Sequence, residues 1–195
     1  DKFIVREALS IAQGEGRNIT AQNLGGYEYT GRLEILPMGK FASKGDYVGG
    51  DIKREEKPKL SLAVTYDYND RAVRKQGNIK GFMYNDEGYY QTSVSTIFAD
   101  MMFKWNGVSI MAEYANKKAV DPIAKNSDDT ETGDILYVGQ GLNVQLGYLL
   151  KSNWEIAGRF TTIMPEDIIG DPYSQYTLGI SRYVVGHKLK VQGDV

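Results

Sequence analysis

Residues 99–114 read ADMMFKW, then Asn-Gly, then VSIMAEY, and this stretch decides the fold. Asn106-Gly107 is a strong hairpin signal, because a two-residue type I′ turn needs positive φ at both central positions and these residues tolerate it. Such a turn opposes Trp105 to Val108, Phe103 to Ile110, Met101 to Ala112 and Ala99 to Tyr114, a wholly apolar face. The alternate face opposes Lys104 to Ser109, Met102 to Met111 and Asp100 to Glu113. Two carboxylates directly opposite each other destabilise a sheet and are very costly in a dry core. That face is expected to look into water. A soluble sandwich shows the same alternation, so the neighbouring stretches must choose between a sandwich and a barrel set in a membrane.

Outward from the hairpin the same period of two recurs. Leu142, Val144, Leu146 and Tyr148 alternate with Asn143, Gln145 and Gly147; Trp154, Ile156, Gly158 and Phe160 alternate with Glu155, Ala157, Arg159 and Thr161. Tyr176, Leu178 and Ile180 follow, then Leu189, Val191 and Val195 against Lys190, Gln192 and Asp194. Upstream, Leu60, Leu62, Val64, Tyr66 and Tyr68 oppose Ser61, Ala63, Thr65 and Asp67. Tyr27, Tyr29, Leu33 and Ile35 oppose Glu28, Thr30, Arg32 and Glu34, and Val5, Leu9 and Ile11 oppose Arg6 and Ser10, with Glu7 interrupting the apolar side. The count is about nine strands, with no amphipathic helix. Gly81-Phe82-Met83-Tyr84, inside the long loop 69–90, reads as a docked segment.

Composition narrows the function. The 195 residues fit one all-β domain or a section of one; they include 22 Gly, 14 Tyr, no Cys and one His. Disulfides and thiolate zinc sites are excluded, and one His cannot form a histidine metal cluster. No apolar run is long enough for a helical membrane span. A net charge of −2 argues against a nucleic-acid surface. A mean hydropathy of −0.40 suits a soluble protein, but also a membrane barrel whose alternate residues face a polar lumen. No signal-peptide pattern stands at Asp1, which reads as a mature or truncated start.

Three features favour the barrel. Short turns at 106–107, 151–153 and 185–187 take turns with long loops at 69–90, 116–139 and 163–174, as in up-and-down outer-membrane barrels. Aromatics sort by strand end: Trp105, Trp154 and Tyr148 lie at short turns, while Tyr27, Tyr29, Tyr66, Tyr68, Tyr114 and Tyr176 lie next to long loops. Two such belts suit the two membrane interfaces. The strands are also long enough to cross a bilayer when tilted. Residues 37–59 do not fit, being long at the short-turn end.

Four segments then carry a family likeness: GEGRN at 14–18, GRLEILPMGKF at 31–41, GDYVGGDIKREEKPKLSLA at 45–63 and HKLKVQGDV at the end. Over most of its length the chain resembles the bacterial phosphate-selective porin O and P family, most specifically from Gly31 to Ala63. The resemblance implies an antiparallel up-and-down transmembrane β-barrel of about sixteen strands, of which residues 1–195 would be an internal or C-terminal section. It further implies a homotrimer in the bacterial outer membrane, in contact with lipid and lipopolysaccharide, that passes small solutes or anions such as phosphate.

The pore-lining candidates by parity are Arg6, Arg32, Lys104, Arg159 and Lys190, with Asp67, Asp100, Glu113 and Glu155 among them. Glu28 and Glu34 add to the acids, which match or outnumber the bases, so a general porin reads as well here as a phosphate-selective one. Charges on a water-filled wall also need no role beyond solvation. Asp100 and Glu113 have no nucleophile or orienting partner in the sequence, and no enzyme is expected. The acidic run 128–134 lacks the closing bidentate Glu of a calcium loop, and neither metal nor cofactor is expected. Asn18-Ile19-Thr20 reads as an incidental glycosylation triplet and His187 as a surface residue in a turn. The readings to separate are a diffusion channel, a plugged barrel serving as scaffold for a partner protein of the outer membrane, and a soluble ligand-binding sandwich.

Overall fold

The computed structural model describes residues 2–17, 25–186 and 188–195; His187 and the triplet at 18–20 lie outside them. Among the described residues, thirteen strands form in chain order. They are β1 Ile4–Gln13, β2 Tyr27–Leu36, β3 Lys59–Ala72, β4 Tyr84–Asn85, β5 Gly88–Tyr89, β6 Thr92–Trp105 and β7 Val108–Ala119, followed by β8 Ile123–Lys125, β9 Glu131–Ile135, β10 Gly139–Leu149, β11 Trp154–Pro165, β12 Tyr173–Val185 and β13 Leu189–Asp194. A distorted 3-10 segment, Ala42–Tyr47, lies between β2 and β3.

Nine strands make one antiparallel sheet in the order β1-β2-β3-β6-β7-β10-β11-β12-β13. Each pairs with the next long strand in sequence, so the path is a plain meander. The sheet is not closed: β1 and β13 each have one neighbour. The register of β6 and β7 is the one the Asn-Gly turn dictates, from Trp105 opposite Val108 to Ala99 opposite Tyr114. Asn106 and Gly107 both take positive φ, 48° and 91°.

Most strands run past the ends that alternation marks. β3 continues to Ala72 through an irregularity between Asn69 and Ala72, and β7 continues to Ala119. Asp70, Arg71, Asn116 and Lys117 are polar, and pairing there rests on the backbone rather than on an alternating apolar face. The loops accordingly shorten, and two carry small hairpins of their own, β4 with β5 and β8 with β9.

The two faces of the sheet have opposite chemistry. One presents Val5, Leu9, Ile11, Leu33, Val64, Leu146, Ile156, Leu178 and Val191, all exposed, with Leu9 at 90% and Tyr176 at 78%. Leaving such side chains in water forgoes about 1.5–3 kcal/mol each, so a face this large requires an apolar cover. Among the described residues, Glu7 is the one carboxylate in the middle of that face, on edge strand β1 opposite Leu33. The other, inner face holds Glu34, Ser61, Lys104, Ser109, Glu155 and Ser181, all buried. A second apolar cluster of Leu36, Phe41 and Met102 lies at the short-turn end, and a larger one of Ala72, Met83, Val94, Ala124, Leu136 and Val138 at the long-loop end. Met83 is wholly buried there, so the segment 81–84 is docked as expected.

Candidate functional site: a strapped polar face

The polar side chains of the inner face follow from strand parity, and every charged pore-lining candidate projects from it. Its middle is a ladder of side chains. Arg32 on β2 donates to Thr65 Oγ1 at 3.1 Å and, through both terminal nitrogens, to Asp100 at 2.6 and 2.9 Å. Asp100 stands opposite Glu113, as expected. The two carboxylates are compensated in opposite directions, Asp100 by Arg32 and Glu113 by Asn143 Nδ2 at 3.0 Å, with Thr161 donating to Asn143 Oδ1 at 3.0 Å. A bidentate guanidinium–carboxylate pair is the strongest geometry available to such groups. Asp67 accepts a bond from Thr30 Oγ1 at 2.6 Å. A cavity of about 460 Å³ opens on this ladder.

At the short-turn end the inner face is covered by residues 37–58, the connection whose length the alternation left unexplained. This strap spans the sheet laterally. Asp46 accepts from Arg6 Nη1 on β1 at 2.5 Å, a nitrogen that also reaches Glu34 at 2.8 Å. Val48 and Gly50 carbonyls accept from Lys104 Nζ at 2.5 and 2.9 Å. Asp51 accepts from the Gly107 amide at 2.8 Å and from the Glu55 amide, and the Glu55 carbonyl accepts from the Asn106 amide at 2.9 Å. Arg54 donates to the Leu149 carbonyl. Gly50 passes so close to β11 and β12 that a Cβ there would lie 2.8 Å from Tyr183 Oη. Tyr183 Oη donates to Glu155 at 2.5 Å.

Lys104 and Glu155 therefore need correcting as open wall residues. Both project inward, but Lys104 is 1% and Glu155 5% exposed, because the strap lies over them. Burying an ammonium is tolerable only where oxygen acceptors replace its water, and the two strap carbonyls do so. Arg6, Arg32, Asp67, Asp100 and Glu113 remain on the accessible wall, the last two over the open ladder. Arg159 and Lys190 border a separate polar cavity of about 280 Å³ beyond the strap tip.

The aromatics expected at the sheet's two ends all project from the apolar face. Tyr27, Tyr29, Tyr66, Tyr148, Tyr176, Trp105 and Trp154 are exposed there, whereas Tyr68 and Tyr114 are half-buried. Arg182 lies over the Trp154 ring at 5.3 Å, and Tyr114 Oη donates to Gln140 at 3.0 Å.

Several residues of the site escaped the sequence reading. Lys59 and Lys117 share the inner parity, and their amines reach the Met38 and Gln76 carbonyls at 2.8 and 2.7 Å. Parity alone would have found them. Asp46, Asp51, Arg54 and Glu55 lie off any strand, and Gly49-Gly50 was the local hint of a close approach. In the acidic run, Asp128 accepts from Thr130 and Asp134 pairs with Lys75 at 2.6 Å. Among the described residues no cluster of three or more His, Cys, Asp or Glu side chains is placed to hold a metal ion.

Fold and site together define an all-β protein built on an open nine-stranded antiparallel sheet, apolar where it is exposed and charged where it is covered. Searches of protein-family models, of curated proteins and of solved structures found no match to the chain.

Proposed function

We propose that this chain is a section of a bacterial outer-membrane β-barrel that lets small solutes and ions diffuse passively through a polar lumen. One observation carries the reading: the exposed face of the sheet is the apolar one. In water that arrangement is unfavourable across nine strands; against lipid it is the expected one, with polar groups turned to a water-filled interior. Trp105, Trp154 and Tyr148 at one end and the tyrosines at the other then serve as interface anchors. The short turns face the periplasm and the long loops the outside, near lipopolysaccharide.

The unpaired edges of β1 and β13 cannot face lipid, so further strands complete the barrel; the family likeness sets the total at about sixteen. Glu7, on the lipid side of an edge strand, supports a neighbouring subunit there and so an oligomer such as a trimer. Inner-face acids balance the bases, which supports a general porin over one dedicated to phosphate. The strap across the short-turn end favours, as the second reading, a plugged barrel acting as scaffold for a partner protein.

The test is reconstitution of the complete barrel into planar bilayers. Discrete single-channel steps with a weak ion preference are expected. A barrel that inserts and never conducts removes the channel reading and leaves the scaffold; partitioning of the native protein into water without detergent removes both.

A further inference from the structure

One row of the inner face breaks with its polar chemistry. Strand pairing sets Phe98 on β6 beside Ala115 on β7, Ala115 beside Gly141 on β10, and Gly141 beside Ile163 on β11. Each lies two residues along its strand from a member of the polar row Asp100, Glu113, Asn143 and Thr161, and so shares its inward parity. Phe98 is 40% and Ile163 48% exposed. On a polar face it is the large exposed apolar side chain that is informative. Ala115 and Gly141 between them are small, so the row forms a notch with a low floor and apolar ends roughly 14 Å apart, three strand spacings. Gly141 has no positive φ, and a Cβ there would meet nothing nearer than the Thr162 carbonyl at 3.8 Å, so neither backbone nor packing demands glycine. The 460 Å³ cavity opens over this floor, within the roughly 300–1,000 Å³ of small-molecule sites. All four strands lie at least two strands in from either end of the sheet, so what pairs with β1 or β13 does not enter.

The charge left over beside the notch is negative. Asp100 is neutralised by its two bonds from Arg32. Lys117, the next inward residue beyond Ala115 on β7, donates to the Gln76 carbonyl at 2.7 Å and has the Asp67 and Glu28 carboxylates near it. Glu113 lies on the other side of Ala115, roughly 7 Å along the strand. It is exposed, and among the described residues it receives the neutral Asn143 amide at 3.0 Å and no cation. An amide hydrogen bond satisfies one carboxylate oxygen and leaves the charge in place. A carboxylate beside hydrocarbon attracts a cation more strongly than one surrounded by water, because the local dielectric is lower. The combination of apolar floor and uncompensated acid fits a molecule that has a hydrocarbon body and a positive group.

We propose that this notch is a binding site for small organic cations with an apolar body, of the arylalkyl or branched alkyl ammonium class. The ammonium sits on Glu113, and the hydrocarbon lies over Ala115 and Gly141 between Phe98 and Ile163. The proposal deepens the channel reading and rests on it for one point, that the inner face meets water.

The sequence has no cysteine, so Ala115→Cys puts a single thiol of this chain on the floor of the notch. In the complete barrel in detergent, that thiol should react about tenfold faster with aminoethyl methanethiosulfonate than with the sulfonatoethyl reagent. Each rate is taken relative to that of a free thiol and read by mass spectrometry. Phenethylammonium should halve the rate of the cationic reagent at a concentration about tenfold lower than methylammonium or phenethyl alcohol requires. Glu113→Gln should bring the ratio of the two reagents to about one. Gly141→Val fills the floor where a Cβ has room, and should remove the advantage of phenethylammonium over methylammonium while keeping the reagent ratio. Equal rates with the two reagents, no reaction with either, or equal protection by the three compounds overturns the site. Those comparisons use the Ala115→Cys protein alone, so they stand even where a second variant fails to fold. None of them needs a current, so loss of the channel reading shows separately, as an inserted barrel that never conducts while labelling and protection persist.

Discussion

The strap holds the short-turn end of the inner face with charges and backbone carbonyls, whereas the long loops at the other end are held mainly by an apolar cluster. Under the strap the largest fully buried side chain is Lys104, with Asp51, Glu55 and Glu155 around it. In the loops the largest are Met83 and Leu136, with Val94 and Val138 against them and Tyr90 at the margin. Polar links lie outside that cluster: Asp86 with Ser127 joins the two loop hairpins, and Asp134 with Lys75 ties one of them to the segment after β3. The difference is one of direction. A charged network is satisfied by one arrangement and costly in any other, so it fixes where the strap lies. An apolar cluster tolerates repacking, so loops built on it can change their surface without losing their footing.

Four changes would break or sharpen this contrast. Lys104→Met removes the cation from beneath the strap and leaves the Val48 and Gly50 carbonyls without a donor and three acids without a counter-charge. A loss of about 3–5 kcal/mol is expected, read as a lowered unfolding midpoint in detergent together with new protease cleavage after Lys53 or Arg54. Leu136→Ala empties part of the loop cluster and should cost about 2–4 kcal/mol, confined to faster amide exchange in 81–90 and 120–138, with the strap still protected. If the strap loosens as well, the two ends are not independent. Breaking the central ladder should cost less, since Arg32 and Asp100 are each about a third exposed. A double-mutant cycle with Arg32→Gln and Asp100→Asn should give a coupling of about 1 kcal/mol.

The smallest effect is the pH response of the loops. The Lys75 hydrogen bond holds the Asp134 carboxyl below the ordinary range, and bonds from Ser127 do the same for Asp86. A lowered folded-state value stabilises the docked loops above the unfolded carboxylate value of about 3.9, and the contribution is lost as pH falls through the lowered values. Amide protection around 84–86 and 125–134, taken relative to the intrinsic exchange rate at each pH, should therefore fall on acidification below about pH 4, and no such change is expected between pH 5 and 8. A transition near neutrality would mean that another group controls docking.

Much of the sheet was legible because its two faces differ in kind. Once Asn106-Gly107 sets the hairpin, the register of Asp100 against Glu113 follows, and parity carries it across β10 and β11. Strand ends were less legible: beyond Tyr68 and Tyr114 the alternation fades, while backbone pairing continues to Ala72 and Ala119 with polar residues that carry no periodic signal. The strap's course was not legible beyond the hint of a close approach at Gly49-Gly50. Its position depends on groups far apart in the sequence, including Arg6, Lys104, the Gly107 amide and the Leu149 carbonyl, and no local pattern in 37–58 encodes that meeting. The same fact explains why Lys104 and Glu155 read as solvated wall: parity tells which face a side chain takes, not what later lies on it.

The strap also has a place in time. It is made between β2 and β3, but Lys104 and Gly107 stand more than 50 residues later and Leu149 is 95 residues from Arg54. Its anchors do not exist until β6, β7 and β10 have paired, and contacts of such separation form late. Separations of this size predict that the strands align first and the strap docks onto the inner face afterwards. The covering of the polar face at the short-turn end is then expected as a late event, and a chain arrested before it would leave Lys104 and Glu155 open to water.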